Sequence, residues 1–227
     1  MPVIPGVLEK ALTAIPSRNT VPKNENDILD LGGVVERELL VSGIGGQGVQ
    51  LATQVLARAL TLEGRYVMSL GTYGGTMRGG NTDASLVFAD RPISSPPIVA
   101  SAWSGLIMHH RFWEGTHARL RPRAVLVVNA PIFDPEIDLS RFQAYAIPAV
   151  EIATANGSPL AAAMVMIGAY AGLTGAVGLD ALNAAMEQSL PSYRRKLLDT
   201  NVAALTAGYA HVPASRHPAW DDMAAAA

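Results

Sequence analysis

Two glycine-rich stretches hold the residue types that can grip an anion. The first is Gly43, Gly45, Gly46, Gln47 and Gly48, preceded by the apolar run Leu39-Leu40-Val41 and followed by a helical pattern. A strand, a tight turn and a helix in that order aim unpaired N–H groups and the positive end of a helix dipole at whatever lies over the turn. The second is Tyr73-Gly74-Gly75-Thr76-Met77-Arg78-Gly79-Gly80-Asn81. Arg78 offers a planar fork of donors suited to a phosphate or carboxylate, Tyr73 an aromatic face, and Gly79, Gly80 and Asn81 the backbone and amide groups of a loop. The same loop also reads as a long surface turn whose glycines only relax the backbone. Placed at the carboxyl ends of strands, both stretches would share one edge of an α/β sheet.

The spacing Gly43-x-Gly45-x-x-Gly48 satisfies the dinucleotide fingerprint, so NAD or FAD is the first ligand to weigh. That fingerprint requires an acid closing the second strand to hold a ribose hydroxyl. The second strand, predicted at Tyr66 to Leu70, runs into Gly71-Thr72-Tyr73 without an acid, and Glu63 precedes it. The turn therefore suits another ligand or a partner better than a dinucleotide.

The elements that must position these loops follow from periodicity. Val49, Ala52, Val55, Leu56, Ala59 and Leu60 recur at helical spacing, and Gly64 ends that helix. Thr82 to Phe88 alternates as a strand does, and Ala124-Val125-Leu126-Val127-Val128 is the near-continuous apolar run of a buried parallel strand. Tyr145 to Val150 predicts another strand, Trp103 to Leu120 a helix, and Asp180 to Leu190 and Pro191 to Tyr209 two more, with about five strands in all. These alternating signals define an α/β class: a doubly wound, Rossmann-like, mostly parallel sheet with helices on both faces. Residues 1–36, with Pro5, Pro16 and Pro22 around a short amphipathic stretch, read as an N-terminal extension, residues 37–210 as the domain and residues 211–227 as a C-terminal tail. The uncharged run from Ser158 to Leu179 is long enough to raise a membrane span. Pro159, Gly172, Gly175 and Gly178 interrupt it and no basic or aromatic flank borders it, so a buried helix is expected.

Composition closes off several chemistries. The 227 residues include no cysteine, which removes disulfides, a thiol nucleophile and cysteine-held zinc or iron–sulfur clusters from this chain. The net charge is −2 with the basic residues scattered, which leaves no footprint for nucleic acid. His109, His110 and His117 lack the spacing of a metal pair, and Asp134, Glu136 and Asp138 read as a solvated loop. No metal site is expected, nor a secretory leader, so the cytoplasm is the default compartment.

Gly43-Ile44-Gly45-Gly46-Gln47-Gly48 with its helix, and Arg78-Gly79-Gly80 about thirty residues on, resemble the gamma subunit or domain of the 2-oxoacid:acceptor oxidoreductases. This family includes pyruvate, 2-oxoglutarate, 2-oxoisovalerate, phenylglyoxylate and indolepyruvate enzymes. Further agreement lies in Asn156 leading into the Ala- and Gly-rich helix, in Tyr193-Arg194-Arg195-Lys196, and in Asn201-Val202-Ala203-Ala204 with Gly208-Tyr209. The resemblance implies a non-autonomous subunit of an enzyme that oxidatively decarboxylates a 2-oxoacid to an acyl-coenzyme A, with no catalytic residue in this chain alone. Alpha, beta and delta-type iron–sulfur partners would hold thiamine diphosphate, Mg and the clusters and pass electrons to ferredoxin or NAD. This chain would cover the site and help bind coenzyme A through Gly43, Gly45, Gly46, Gln47, Gly48, Tyr73, Arg78, Gly79, Gly80 and Asn81. Where many members have an acid and a Pro-Glu-type pair before Arg-Gly-Gly, this chain has Gly74-Gly75-Thr76-Met77, and Asn81 replaces a common serine. A free-standing NAD or FAD protein and a purely architectural subunit are the competing readings.

Overall fold

The computed structural model describes residues 35–73, 80–94 and 97–221. Arg78 and Gly79, and residues 1–34 of the extension predicted over residues 1–36, lie outside the described residues. Six strands form one sheet in the order β2-β3-β1-β4-β5-β6: β1 Glu36–Ile44, β2 Tyr66–Tyr73, β3 Asn81–Ala89, β4 Ala102–Ile107, β5 Leu120–Asn129 and β6 Gln143–Ile147. β1, β4, β5 and β6 pair in parallel. β3 runs against both of its neighbours, β1 and β2.

Strict alternation sorts the strands' side chains into two layers. Leu39, Val41, Leu106, Val125 and Val127 face one core. Leu40, Ile107, Leu126 and Val128 face the other, so the central strands are buried on both sides as parallel strands must be. The two layers are unequal. Helices α1 (Val49–Leu62), α3 (Ala149–Ala155), α4 (Ala162–Thr174), α5 (Leu179–Ser189) and α6 (Leu198–Ala210) build the first. The second is closed by the five-residue α2 (Trp113–His117) and by loops around Trp113, Phe133 and Phe142, whose rings meet edge to face. The sheet is thus doubly wound and mostly parallel, with helices on both faces.

One expectation fails outright. The segment predicted helical from Trp103 opens as β4, the central strand between β1 and β5. Its sequence Ala-Trp-Ser-Gly-Leu-Ile carries few β-formers, and burial overrides propensity. Gly105 is small for a packing reason, since a Cβ there would lie 2.8 Å from Leu126 Cδ2. Among the described residues the strand count is accordingly six. Only His110–Phe112, as a 3-10 turn, and α2 remain of the predicted helix.

α4 is buried on nearly every face and ends at Gly175 in the left-handed conformation. Among the described residues no helix is long and apolar enough to cross a membrane. Residues 211–221 are strapped along α4. Ser215, His217 and Ala219 donate their N–H groups to the carbonyls of Gly172, Leu173 and Thr174, and Trp220 donates its indole N–H to Ala176 O at 3.0 Å.

Candidate functional site: two glycine loops on one sheet rim

β1 delivers its chain to the carboxyl edge of the sheet, where the turn at residues 45–48 reverses it into α1. The turn has little freedom to differ. A Cβ at Gly43 would meet Val49 Cγ2 at 2.8 Å and Gln47 Oε1 at 2.9 Å, so only hydrogen lets the helix pass this close over the strand. Gly46 and Gly48 sit at φ +104° and +84°, a region that side chains resist.

Gln47 is a brace for this turn. Its Oε1 accepts from Ile44 N–H at 3.0 Å and its amide donates to Met108 O at 3.3 Å, tying β1 to the end of β4. Gly45 N–H donates to Gly80 O at 2.9 Å, which stitches the first glycine loop to the second. Gly46, Gly48, Val49 and Gln50 keep N–H groups without a partner among the described residues. No acid lies in the first turn of α1, so its positive end stands uncompensated.

The structure therefore brings Gly43, Gly45, Gly46, Gln47, Gly48, Gly80 and Asn81 to one rim. Asn81 pairs across from Ile44, and its amide donates to Asp83 Oδ2 at 2.8 Å, so that donor is spent within the chain. The backbone of Tyr73 lies in the same cross-sheet row as Thr82 and Gly43. The row also bears on the dinucleotide fingerprint. Antiparallel β3 separates β2 from β1, so the end of β2 lies two strand spacings, roughly 10 Å, from the turn. Glu63 is occupied elsewhere, accepting from Gly178 N–H at 2.8 Å at the start of α5.

Two hollows flank the turn. One, of about 160 Å³, is walled by Met108, Ile132, Val150, Leu160 and Met166, with Gly46 and Gln47 at its rim. Asn129, at 3% exposure, lines it; its amide reaches Met108 O at 3.5 Å while Oδ1 has no partner among the described residues. The second hollow, of about 380 Å³, runs from Gly46 and Gly48 past Ser158 to Arg194, Thr200 and Asn201. Leu160 (88% exposed) stands between the hollows, and Tyr193 (73% exposed) lies beside Arg194, whose guanidinium is 5.5 Å from its ring centre. Asn129, Met108 and Leu160 escaped sequence reasoning. The one signal for Asn129 was an amide closing a five-residue apolar run at the carboxyl end of a parallel strand.

His109, Asp134 and Asp138 behave as turn caps. His109 Nδ1 accepts from Arg111 N–H, and burial, with His110 and Arg111 nearby, holds its pKa below the ordinary histidine value. Asp134 and Asp138 accept from the N–H groups of Glu136 and Ser140. No cluster of three potential metal ligands occurs among the described residues.

Comparison with known proteins agrees with this architecture. The family described as pyruvate ferredoxin/flavodoxin oxidoreductase matches residues 38–211. The KorC subunit of 2-oxoglutarate synthase from Methanothermobacter marburgensis is 32% identical over 183 residues, spanning 77% of this chain and 95% of that protein. Among solved structures, the gamma subunit of a keto/oxoacid ferredoxin oxidoreductase from Geobacter sulfurreducens superposes with a TM-score of 0.67 at 24% identity, covering 77% of this chain and 95% of that one. A 2-oxoglutarate:ferredoxin oxidoreductase from Magnetococcus marinus, solved with 2-oxoglutarate, coenzyme A and succinyl-CoA, gives 0.69 at 19% identity over 81% of this chain and 32% of that chain. These two structures speak to the fold alone. Through the family match and its coverage, the chain belongs to the pyruvate ferredoxin/flavodoxin oxidoreductase family, as a gamma-type subunit of its multi-subunit 2-oxoacid oxidoreductases.

Proposed function

We propose that this chain is the subunit that covers the active site of a decarboxylating, coenzyme A-acylating 2-oxoacid oxidoreductase and helps hold coenzyme A at the glycine rim. The observation that carries the reading is the Gly45 N–H to Gly80 O bond, which gathers both glycine loops beside the free N-terminus of α1. Phosphate groups suit such a rim because backbone donors and the helix dipole act together there. Arg78, on the second loop, would add a charge-assisted contact. Thiamine diphosphate, Mg and the iron–sulfur clusters belong in this reading to alpha, beta and delta-type partners, which pass electrons to ferredoxin or NAD; the absence of cysteine fits that division. The complex works in the cytoplasm.

The test is the assembled complex carrying Arg78→Ala. One lost charge-assisted hydrogen bond corresponds to about a 10- to 100-fold rise in the Michaelis constant for coenzyme A, with kcat within about twofold of wild type. An unchanged constant with weakened assembly would assign this chain an architectural role instead. The isolated chain should not oxidise a 2-oxoacid, and micromolar NAD or FAD affinity in isolation would overturn the reading.

A further inference from the structure

A second concave site opens at the other end of the strands. Between β4 and β5 the register jumps: Ala102 pairs with Leu120, but Ser104 pairs with Val125, so two steps on one strand meet five on the other. The surplus residues are Arg121-Pro122-Arg123, pushed out of the ladder as an unusually large bulge. Bulges of this kind re-aim side chains and are enriched beside functional sites. Arg123 adopts φ +63°, a conformation that a residue with a long side chain takes only when its surroundings impose it.

The bulge forms one wall of a hollow of about 400 Å³ also lined by Trp103, Gln143, Arg216 and His217. The opposite wall is the C-terminal strap, held by the three backbone bonds to the end of α4 and by the hydrogen bond of about 2.8 Å between Tyr145 OH and His217 Nε2. Arg121 is already paired: its Nη2 donates to both carboxylate oxygens of Glu38, at 2.6 and 2.7 Å, and its Nε to Ser101 O. The guanidiniums of Arg123 and Arg216 have no partner among the described residues. Three guanidiniums against the one carboxylate leave about two positive charges converging on a hollow of small-ligand size. Arg123 Nη and Arg216 Nη are forks for a planar or tetrahedral anion, and Gln143 adds a neutral donor and acceptor.

We propose that this hollow binds a small molecule bearing two or more anionic groups, carboxylate or phosphate, between Arg123 on the bulge and Arg216 on the strap. β5 separates it from the glycine rim: six residues from Arg123 to Asn129 span roughly 20 Å. The inference stands independently of the coenzyme A reading. Because the ligand would bridge the bulge and the strap, occupancy also fastens the C-terminal segment to the sheet.

The experiment titrates the full chain and the assembled complex with pyrophosphate and with citrate at constant ionic strength, chloride serving as the reference, and reads binding by calorimetry and by thermal shift. Saturable binding of either anion, weakened at least about tenfold by Arg216→Gln, supports the site, and the preferred anion identifies phosphate or carboxylate chemistry. Arg123→Gly is the second variant. It should melt no lower than wild type, since glycine relieves the positive φ, and yet lose binding; a purely structural arginine would not show that split. The proposal is overturned if neither anion binds saturably, if both variants bind as wild type does, or if the variants release partner subunits while anion binding is absent, which would make the hollow a subunit-docking surface.

Discussion

Gly208→Ala sets two physical effects against each other, and the sign of the result decides between them. Gly208 lies in the last turn of α6, two residues before its end, where alanine is favoured over glycine by at most about 1 kcal/mol on propensity alone. But a Cβ at Gly208 would lie 2.1 Å from the carbonyl oxygen of Val165 on α4, and a Cβ at Gly168 would lie 2.1 Å from the carbonyl oxygen of Leu205 on α6. A carbon and a carbonyl oxygen rest no closer than about 3.3 Å, so the helices must part by roughly 1.2 Å. Because the obstacle is backbone on both sides, no rotamer change relieves it. Overpacking of this kind costs up to about 3 kcal/mol, which leaves a net loss of about 2 kcal/mol after the propensity gain. For a domain of this size that lowers the melting temperature by about 4–8 °C. Calorimetric melts of the full chain should show it, with Thr206→Ala, exposed on the same helix, melting no lower than wild type. The double variant Gly168→Ala/Gly208→Ala should lose less than the sum of the singles, because one separation accommodates both methyl groups. A Gly208→Ala chain that melts at or above wild type refutes the reasoning. The consequence reaches the site: Met166 of α4 walls the smaller hollow, and Thr200 and Asn201 of α6 line the larger, so parting the two helices should also weaken binding at the rim.

Two further outcomes follow from the geometry. Asn129→Leu removes a buried acceptor that has no partner, while Met108 O keeps its bond from Gln47; chemical denaturation should find stability unchanged or raised by about 1 kcal/mol, and a loss above about 2 kcal/mol would mean that Oδ1 has a partner in solution. His217 is held below its ordinary value of 6.5, chiefly by burial and secondarily by Arg216, so the folded chain binds a proton there less readily than the unfolded one. Its contribution is present above about pH 6.5 and is lost as the pH falls from there towards the folded value. Amide exchange at Ser215, His217 and Ala219, corrected for intrinsic rates, should quicken between pH 7.5 and 5.5, and unchanged protection would count against this account.

Much of the rim was legible because its demands are local. Glycines at Gly46 and Gly48 mark positive φ, and the helical spacing from Val49 to Leu60 announces α1. β4 was illegible for the opposite reason: a strand buried on both faces has no polar alternation, and Ser104 and Gly105 dilute its apolar character. The glycine spacing points Gln47 at a ligand, whereas its partner Met108 O lies 61 positions away and no local pattern reports it. Asn129 and Arg194 likewise join the site only through tertiary packing. The Arg121-Pro122-Arg123 bulge leaves no local mark in the sequence, because only pairing with β4 shows the residues to be surplus.

The strap along α4 determines where this polypeptide can be cut. Trp220 stacks its ring edge on Phe88 at 5.6 Å and receives the Arg65 guanidinium 3.9 Å above its face, while Arg37 reaches Asp221 O at 2.9 Å. An expression boundary drawn at the end of α6 would strip the aromatic lid from β3 and leave Phe88 wet. Fusions and affinity handles therefore belong beyond Asp221, where lengthening the chain disturbs none of these contacts.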